Sequence, residues 1–207
     1  MSEDRLEALG RSIAACRICR DAPQGRTALP HEPNPVCVVS ATARICICGQ
    51  APGTRVHASG RPFTDASGDR LRDWLGIDAA TFYDTARIAI VPMGFCFPGL
   101  DAKGGDLPPR RECARTWHDR LFAEMDQLEL VVAVGAHAQA YHLGRHRRAS
   151  LTETVADWRA IMALDHAPYT VVPTPHPSWR NTGWLKRNPW FEAELLPVLR
   201  GEVHRRL

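Results

Sequence analysis

Four short apolar runs, at residues 44–48, 87–91, 128–134 and 169–174, constrain this chain more than anything else in it. Each is of strand length, rich in β-branched or other apolar residues, and without the polar alternation of a half-wet strand. Such runs read as strands buried on both faces. Segments with helical patterning lie between them, and strands alternating with crossover helices pair in parallel under a helical layer on each side. The expected architecture is α/β: a three-layer α/β/α sandwich with a mainly parallel four-stranded central sheet.

The intervening segments fill out that expectation. Leu6, Leu9, Ile13 and Cys16 recur at helical spacing, so an amphipathic helix over residues 2–20 opens the chain, and a Pro-rich connector follows over 21–35. Residues 36–40 read as an irregular extension before the first strand. Ser67 reads as the N-cap of a helix carrying Leu71, Trp74 and Leu75 and stopped by Gly76. Further helices are expected from Pro109 to about residue 127, over 135–143 and over 152–163. A last one starts at Asn188-Pro189 and runs toward Arg205, with an irregularity at Pro197. A chain of 207 residues is long enough to bury a real core, and a single domain over 1–207 is expected.

No apolar run approaches membrane-spanning length and no basic-then-apolar leader opens the sequence, so a cytoplasmic protein without a membrane partner is expected. Seven cysteines, an odd number, argue for thiols and metal ligands rather than a disulfide framework. The net charge of +3 is weak evidence for a polyanionic partner. Only Lys103 and Lys186 among the 26 basic residues are lysines. Arginine suits bidentate phosphate contacts, although codon bias toward GC-rich triplets explains the same composition.

Two loops carry the chemistry. Gly49-Gln50-Ala51-Pro52-Gly53 follows the first strand, and His176-Pro177-Ser178-Trp179-Arg180-Asn181 follows the last. Both leave carboxyl ends of strands, the edge at which open α/β sheets bind ligands, so they read as two walls of one pocket. Cys16 and Cys19 form a CxxC pair, and Cys96 and Cys113 flank a Gly/Pro-rich loop that could fold back to complete a four-thiolate site. Zinc or an iron-sulfur cluster would accept such a set. Cys46 and Cys48 alternate with isoleucines inside a buried strand and read as core, as does Cys37.

These segments together resemble the uracil-DNA glycosylase superfamily, whose members carry a GxxPG-like first loop and an HPS-like second loop. The ordered cysteines Cys16, Cys19, Cys96 and Cys113 are similar to those of its iron-sulfur families 4 and 5, which implies a structural [4Fe-4S] cluster. The string Gly60-Arg61-Pro62-Phe63-Thr64-Asp65-Ala66-Ser67-Gly68 resembles family 5, and up to the Phe also family 4. The resemblance runs from Cys16 to about Pro189. It implies base flipping, removal of uracil from DNA without strand cleavage, a DNA partner and a monomer. It assigns Asp65, His176 and Gln50 to catalysis and Gly49, Ala51, Phe63, Ser67, Ser178, Arg180 and Asn181 to the substrate. Phe63 would stack on the extruded base, and Arg180 or Trp179 would fill the gap left in the helix. Ser178 would bind a phosphate.

The chain also departs from these patterns. Family 1 has Asp where this chain has Ala51, and family 4 has Glu where it has Gln50. Asp65, matching the family-5 acid after a one-residue deletion, is the remaining carboxylate for the water, with helix capping as its competing role. Families 4 and 5 read uracil with an Asn where this chain has Pro92, and its only asparagines are Asn34, Asn181 and Asn188. Backbone groups of residues 93–97 could substitute, or the pocket could take another deaminated base such as hypoxanthine or xanthine. A damage-binding protein without turnover is a further alternative, as is a zinc-stabilised nucleotide-binding domain. The Arg145-His146-Arg147-Arg148 patch reads as a DNA contact or a solvated turn.

Overall fold

The computed structural model describes residues 2–24, 27–165 and 168–207. Its centre is a four-stranded sheet in which every pairing is parallel. β1 (Ile45–Cys48), β2 (Ile88–Ile90), β3 (Leu130–Val134) and β4 (Thr170–Thr174) lie in the order β2-β1-β3-β4. Ile45 stands opposite Ile88 on one side and Leu130 on the other, and Leu130 opposite Thr170. Because strand residues alternate in direction, the sheet feeds two separate cores. Cys46, Cys48, Ala89, Val91, Val131 and Ala133 pack one face, with Leu6, Leu9, Ile13 and Leu121. Ile45, Ile47, Ile88, Ile90, Val132 and Val134 pack the other, with Leu71, Trp74, Leu199 and Val203. The three-layer sandwich expected from the four runs is the observed one.

The helices, in chain order, are α1 (Ser2–Ala14), α2 (Ile18–Asp21), α3 (Thr54–Ser59), α4 (Ala66–Leu75), α5 (Ala79–Phe82) and α6 (Arg111–Cys113). They continue as α7 (Asp119–Glu124), α8 (Ala136–Leu143), α9 (Leu151–Ala156), α10 (Trp158–Met162), α11 (Thr182–Arg187) and α12 (Leu196–His204). The single opening helix is corrected to two, because the Cys16 N–H bonds back to Ile13 O at 2.9 Å and tightens the last turn. The helix expected from Pro109 begins at Arg111, and a π turn at Ala114–His118 interrupts it. The segment 152–163 divides at Asp157, with Ser150 capping its first half by accepting the Glu153 N–H. Another π turn, Phe191–Leu195, precedes Pro197, which has no N–H to return to the turn before it. The extension at residues 36–40 touches the sheet through one antiparallel bridge, Val38 to Ile90. No helix among the described residues is long and apolar enough to cross a membrane.

The cap of α4 is also corrected. Asp65, not Ser67, is the N-cap, and its Oδ1 accepts the N–H groups of Ser67 and Gly68 at 3.1 and 3.2 Å. Gly76 closes the helix in the left-handed region, as read from the sequence. On the far face Trp74 meets Phe191 edge-on at 4.9 Å, fixing α4 against the carboxyl-terminal segment.

Candidate active site

The strand order reverses around β1, and the carboxyl edge at such a reversal leaves a crevice between diverging loops. Here it is a cleft of about 530 Å³. The first loop contributes Gly49, Gln50 and Ala51, and the segment into α4 contributes Phe63, Asp65 and Ser67. His176, Ser178, Arg180 and Asn181 form the opposite wall. All ten site residues named from sequence therefore line one cavity, together with Pro92 from the end of β2.

Phe63 is fastened by its backbone. It is the non-glycine residue with positive φ, at 54°, among the described residues, a conformation that costs energy unless its surroundings over-determine it. They do. Its carbonyl accepts the Tyr83 hydroxyl at 2.9 Å and Arg72 Nη1 at 3.2 Å, and Arg61 covers the Tyr83 ring at 3.8 Å. Gly68 is required beneath it, since a Cβ there would lie 1.9 Å from the Phe63 oxygen. The ring packs edge-on against Phe82 at 5.9 Å, and a Cβ on Gly49 would come within 3.3 Å of its tip. Phe63 is thus at once a rim residue of the core and a wall of the cleft. The Arg72–Tyr83 clamp was not read from sequence, because both residues act on a backbone oxygen.

His176 is held by its own loop. The Ser178 N–H donates to Nδ1 at 3.2 Å, and Asn181 Nδ2 donates to the His176 carbonyl at 2.7 Å. With Nδ1 accepting, the neutral ring carries its proton on Nε2, which makes that nitrogen a donor. Burial pulls the imidazole below its ordinary pKa, while Asp65 and Asp106 pull the other way. Arg70 braces the loop by donating to Ser178 O at 3.0 Å. Trp179 stands out from this loop, 75% exposed.

Asp106 was missed in the sequence. It reaches the cleft because Leu100 and Asp106 form an antiparallel bridge that folds residues 99–107 back over the first loop. Its Oδ2 would stand 3.5 Å from a Cβ on Gly53, and Gln50 Nε2 donates to Leu107 O at 3.4 Å. Two aspartates, Asp101 and Asp106, in a Gly/Pro-rich loop leaving a strand's carboxyl edge were the available signal.

Three backbone N–H groups at the start of residues 93–97 are already engaged within the protein. The N–H groups of Met93 and Gly94 donate to Gly49 O and Gln50 O at 2.9 and 3.0 Å. That of Phe95 donates to Cys113 Sγ at 3.5 Å. Even the Pro92 carbonyl is engaged, by Nε2 of buried His118 at 3.0 Å. The basic patch at residues 145–148 does not line the cleft, and its Arg148 pairs with Asp157.

Four residues beyond Pro92 the same loop supplies Cys96 to a second place. Cys16, Cys19, Cys96 and Cys113 surround one cavity of about 10 Å³, with Pro33, Pro35 and Phe95. Among the described residues no set of three or more His, Cys, Asp or Glu is already spaced around an ion, so the fit rests on the donor set: four thiols from three segments, with no carboxylate among the residues that line the cavity. Burial pushes the Cys96 thiol up to about 12, and a hydrogen bond with Cys19 raises Cys113. Cys46 and Cys48 lie in the core as expected, and Cys37 is partly buried against it.

The family model described as the uracil DNA glycosylase superfamily matches residues 37–200. The match takes in all four strands and both loops of the cleft. It begins after Cys16 and Cys19.

Proposed function

This chain belongs to the uracil DNA glycosylase superfamily, and we propose that it hydrolyses the N-glycosidic bond of uracil in DNA, leaving an abasic site and no strand break. The observation that carries this reading is His176, a half-buried imidazole whose Nδ1 is occupied by a backbone N–H. Its Nε2–H is left to donate in a cleft that also holds an aromatic platform.

In this reading the extruded base lies on Phe63. Water oxygen bonds to C1′ as the C1′–N1 bond breaks, and the bonding electrons leave with the base. His176 donates to the base oxygen on which that charge collects, so its hydrogen bond strengthens in the transition state. Asp65 faces the sugar, offsets its developing positive charge and receives the water's proton. Both Asp65 cap contacts are accepted by Oδ1. Gln50 supports the water as a neutral partner, and Asp106 acts at longer range through His176. Gly49, Ala51, Ser67 and Asn181 shape the walls, while Ser178 and Arg180 take the DNA backbone.

Cys16, Cys19, Cys96 and Cys113 would hold a [4Fe-4S] cluster, which would join the amino-terminal helices to the loop after β2 and would take no part in hydrolysis. Broad visible absorbance and four irons per chain in anaerobically purified protein would support it. Colourless protein with one zinc would sink it.

One observation favours a second specificity. With Pro92 in the strand-end position and the N–H groups of residues 93–95 spent, a uracil-reading amide is missing there, and hypoxanthine or xanthine fits the same chemistry. The test is single-turnover cleavage of oligonucleotides carrying uracil, hypoxanthine, xanthine or a T·G mismatch, with alkali revealing abasic sites. Release of uracil supports the first reading, and release of a purine alone the second. No cleavage of any substrate, with retained binding, would leave a damage-binding protein.

A further inference from the structure

Every second residue from Pro173 to Pro177 is a proline, and His176 stands inside that run. Proline has no N–H and a locked φ, so Pro173, Pro175 and Pro177 offer no donor to a neighbouring strand and transmit a displacement instead of absorbing it. β4 is also an edge strand of the sheet, paired with β3 alone. The end of the strand that delivers His176 to the cleft is therefore held chiefly through its carbonyl oxygens.

Thr174 O is the oxygen that is held. It accepts the Gly135 N–H at 2.9 Å and Nε2 of Gln139, on α8, at 2.9 Å. A carbonyl can only accept, so the amide presents its NH2 group there. Gln139 is 0% exposed. Its Oε1 and the Oγ1 of Thr174 are both buried with no hydrogen-bond partner among the described residues, and a buried acceptor left unpaired is destabilising. Methionine would fill the place of Gln139 without that loss. A polar group kept against local stability marks a place where function outweighs packing. The amino end of α8 also lies under the imidazole, since a Cβ on Gly135 would stand 3.7 Å from the His176 Cβ.

The Ser178 N–H on Nδ1 and the Asn181 amide on the His176 carbonyl are bonds within one loop. They orient the ring in its loop but do not set where the loop stands over the cleft. Two side chains from outside do that: Arg70 holds Ser178 O on one side of His176, and Gln139 holds Thr174 O on the other. From this arrangement we infer that Gln139 is a positioning residue for the cleavage step, fixing the last carbonyl of β4 so that the stiff Pro-His-Pro segment carries Nε2 to the base oxygen. The inference rests on the glycosylase reading and adds a residue that does not line the cleft. A misplacement of about 1 Å at a reacting group can cost about a hundredfold in rate, so a remote anchor of this kind acts on the chemical step while leaving DNA binding alone.

The test is a double-mutant cycle between Gln139 and His176, read as single-turnover cleavage of a uracil-containing oligonucleotide. Gln139→Met removes the donor and the unpaired acceptor together, so Tm should stay within about 4 °C while cleavage falls about tenfold and DNA binding holds. In a His176→Ala background the same change should cost less than about twofold, because residues that act as a unit are not additive. An equal fall in both backgrounds would make Gln139 a merely structural residue and overturn the inference, as would a wild-type rate in Gln139→Met. If Gln139→Met does not fold, Gln139→Asn takes its place, since it keeps a buried amide but draws it one methylene back from Thr174 O. If the wild type cleaves nothing, the glycosylase reading fails by itself. The nuclear Overhauser contact between Gly135 Hα and His176 Hβ then decides the positioning: the inference stands if the substitution at Gln139 weakens that contact severalfold and falls if the contact is unchanged.

Discussion

The cysteine nest and the cleft are served by one loop, yet they solve opposite problems. Pro92 faces the cleft and Cys96 faces the nest. In the nest, apolar neighbours and mutual contact leave the sulfurs with little but one another, so its chemistry is set by which residue types come together. In the cleft, backbone groups are used up in fixing the walls, and the side chains that remain are the ones with work to do. The loop between them is pinned to the first loop by the Met93 and Gly94 N–H groups, which donate to Gly49 O and Gln50 O, so a change in one region need not travel to the other. Residue type governs the first region and backbone hydrogen bonding governs the second.

The largest expected effects lie in the cleft. Asp65→Asn keeps a good capping residue, so the fold should survive while single-turnover cleavage falls about a hundredfold or more, the range of a positioned general base. His176→Ala should act on the same step. Gln50→Ala should cost less. An Asp65→Asn enzyme with near-normal cleavage beside a dead Gln50→Ala enzyme would mean that an amide holds the water, and that the cap is the whole role of Asp65.

Cys96→Ser tests whether the regions are separable. It should bleach the protein and lower Tm by about 10 °C, the shift that roughly 3 to 4 kcal/mol produces in a domain of this size. Cleavage per folded molecule should hold at a temperature well below the new Tm. A matching fall in that rate would show that the nest also sets the cleft's geometry, and the contrast between the regions would collapse.

The same contrast explains what the sequence made legible. The four runs marked the sheet because burial on both faces leaves a continuous apolar signature, and the two loops were findable because Gly, Pro and His followed directly on those runs. What stayed hidden depends on pairings distant in sequence. Nothing near Asp106 announces that Leu100 will fold it across the first loop, and nothing near Phe63 announces that Arg72 and Tyr83 will seize its carbonyl. The cap was read at Ser67 where the structure has Asp65, because both residue types cap well and only the backbone path chooses between them.

Phe63→Ala should be milder than the catalytic changes, losing about 1 to 3 kcal/mol of stacking, seen more in binding of a flipped base than in the chemical step. Gly68→Ala should mimic part of it, since the new Cβ drives into the Phe63 oxygen. A wild-type rate in Phe63→Ala would reduce that ring to a rim of the core.

The smallest expected effect concerns protons. Burial lowers the His176 pKa below the ordinary value of about 6.5, against the pull of Asp65 and Asp106. A lowered pKa keeps the ring neutral until the pH has fallen below the range of a free imidazole. Protonation would then put an N–H on Nδ1, head to head with the Ser178 N–H that now donates to it, and would break the contact that orients the ring. Cleavage should therefore stay level from about pH 8 through 6.5 and decline only at more acid pH. Asp106→Asn removes one of the charges that favour the imidazolium, so it should cost less than about tenfold at neutral pH and move the acid limb lower still. A limb centred at or above the free-imidazole value, or one that Asp106→Asn leaves in place or moves upward, would show that the neutral His176 is not the working form.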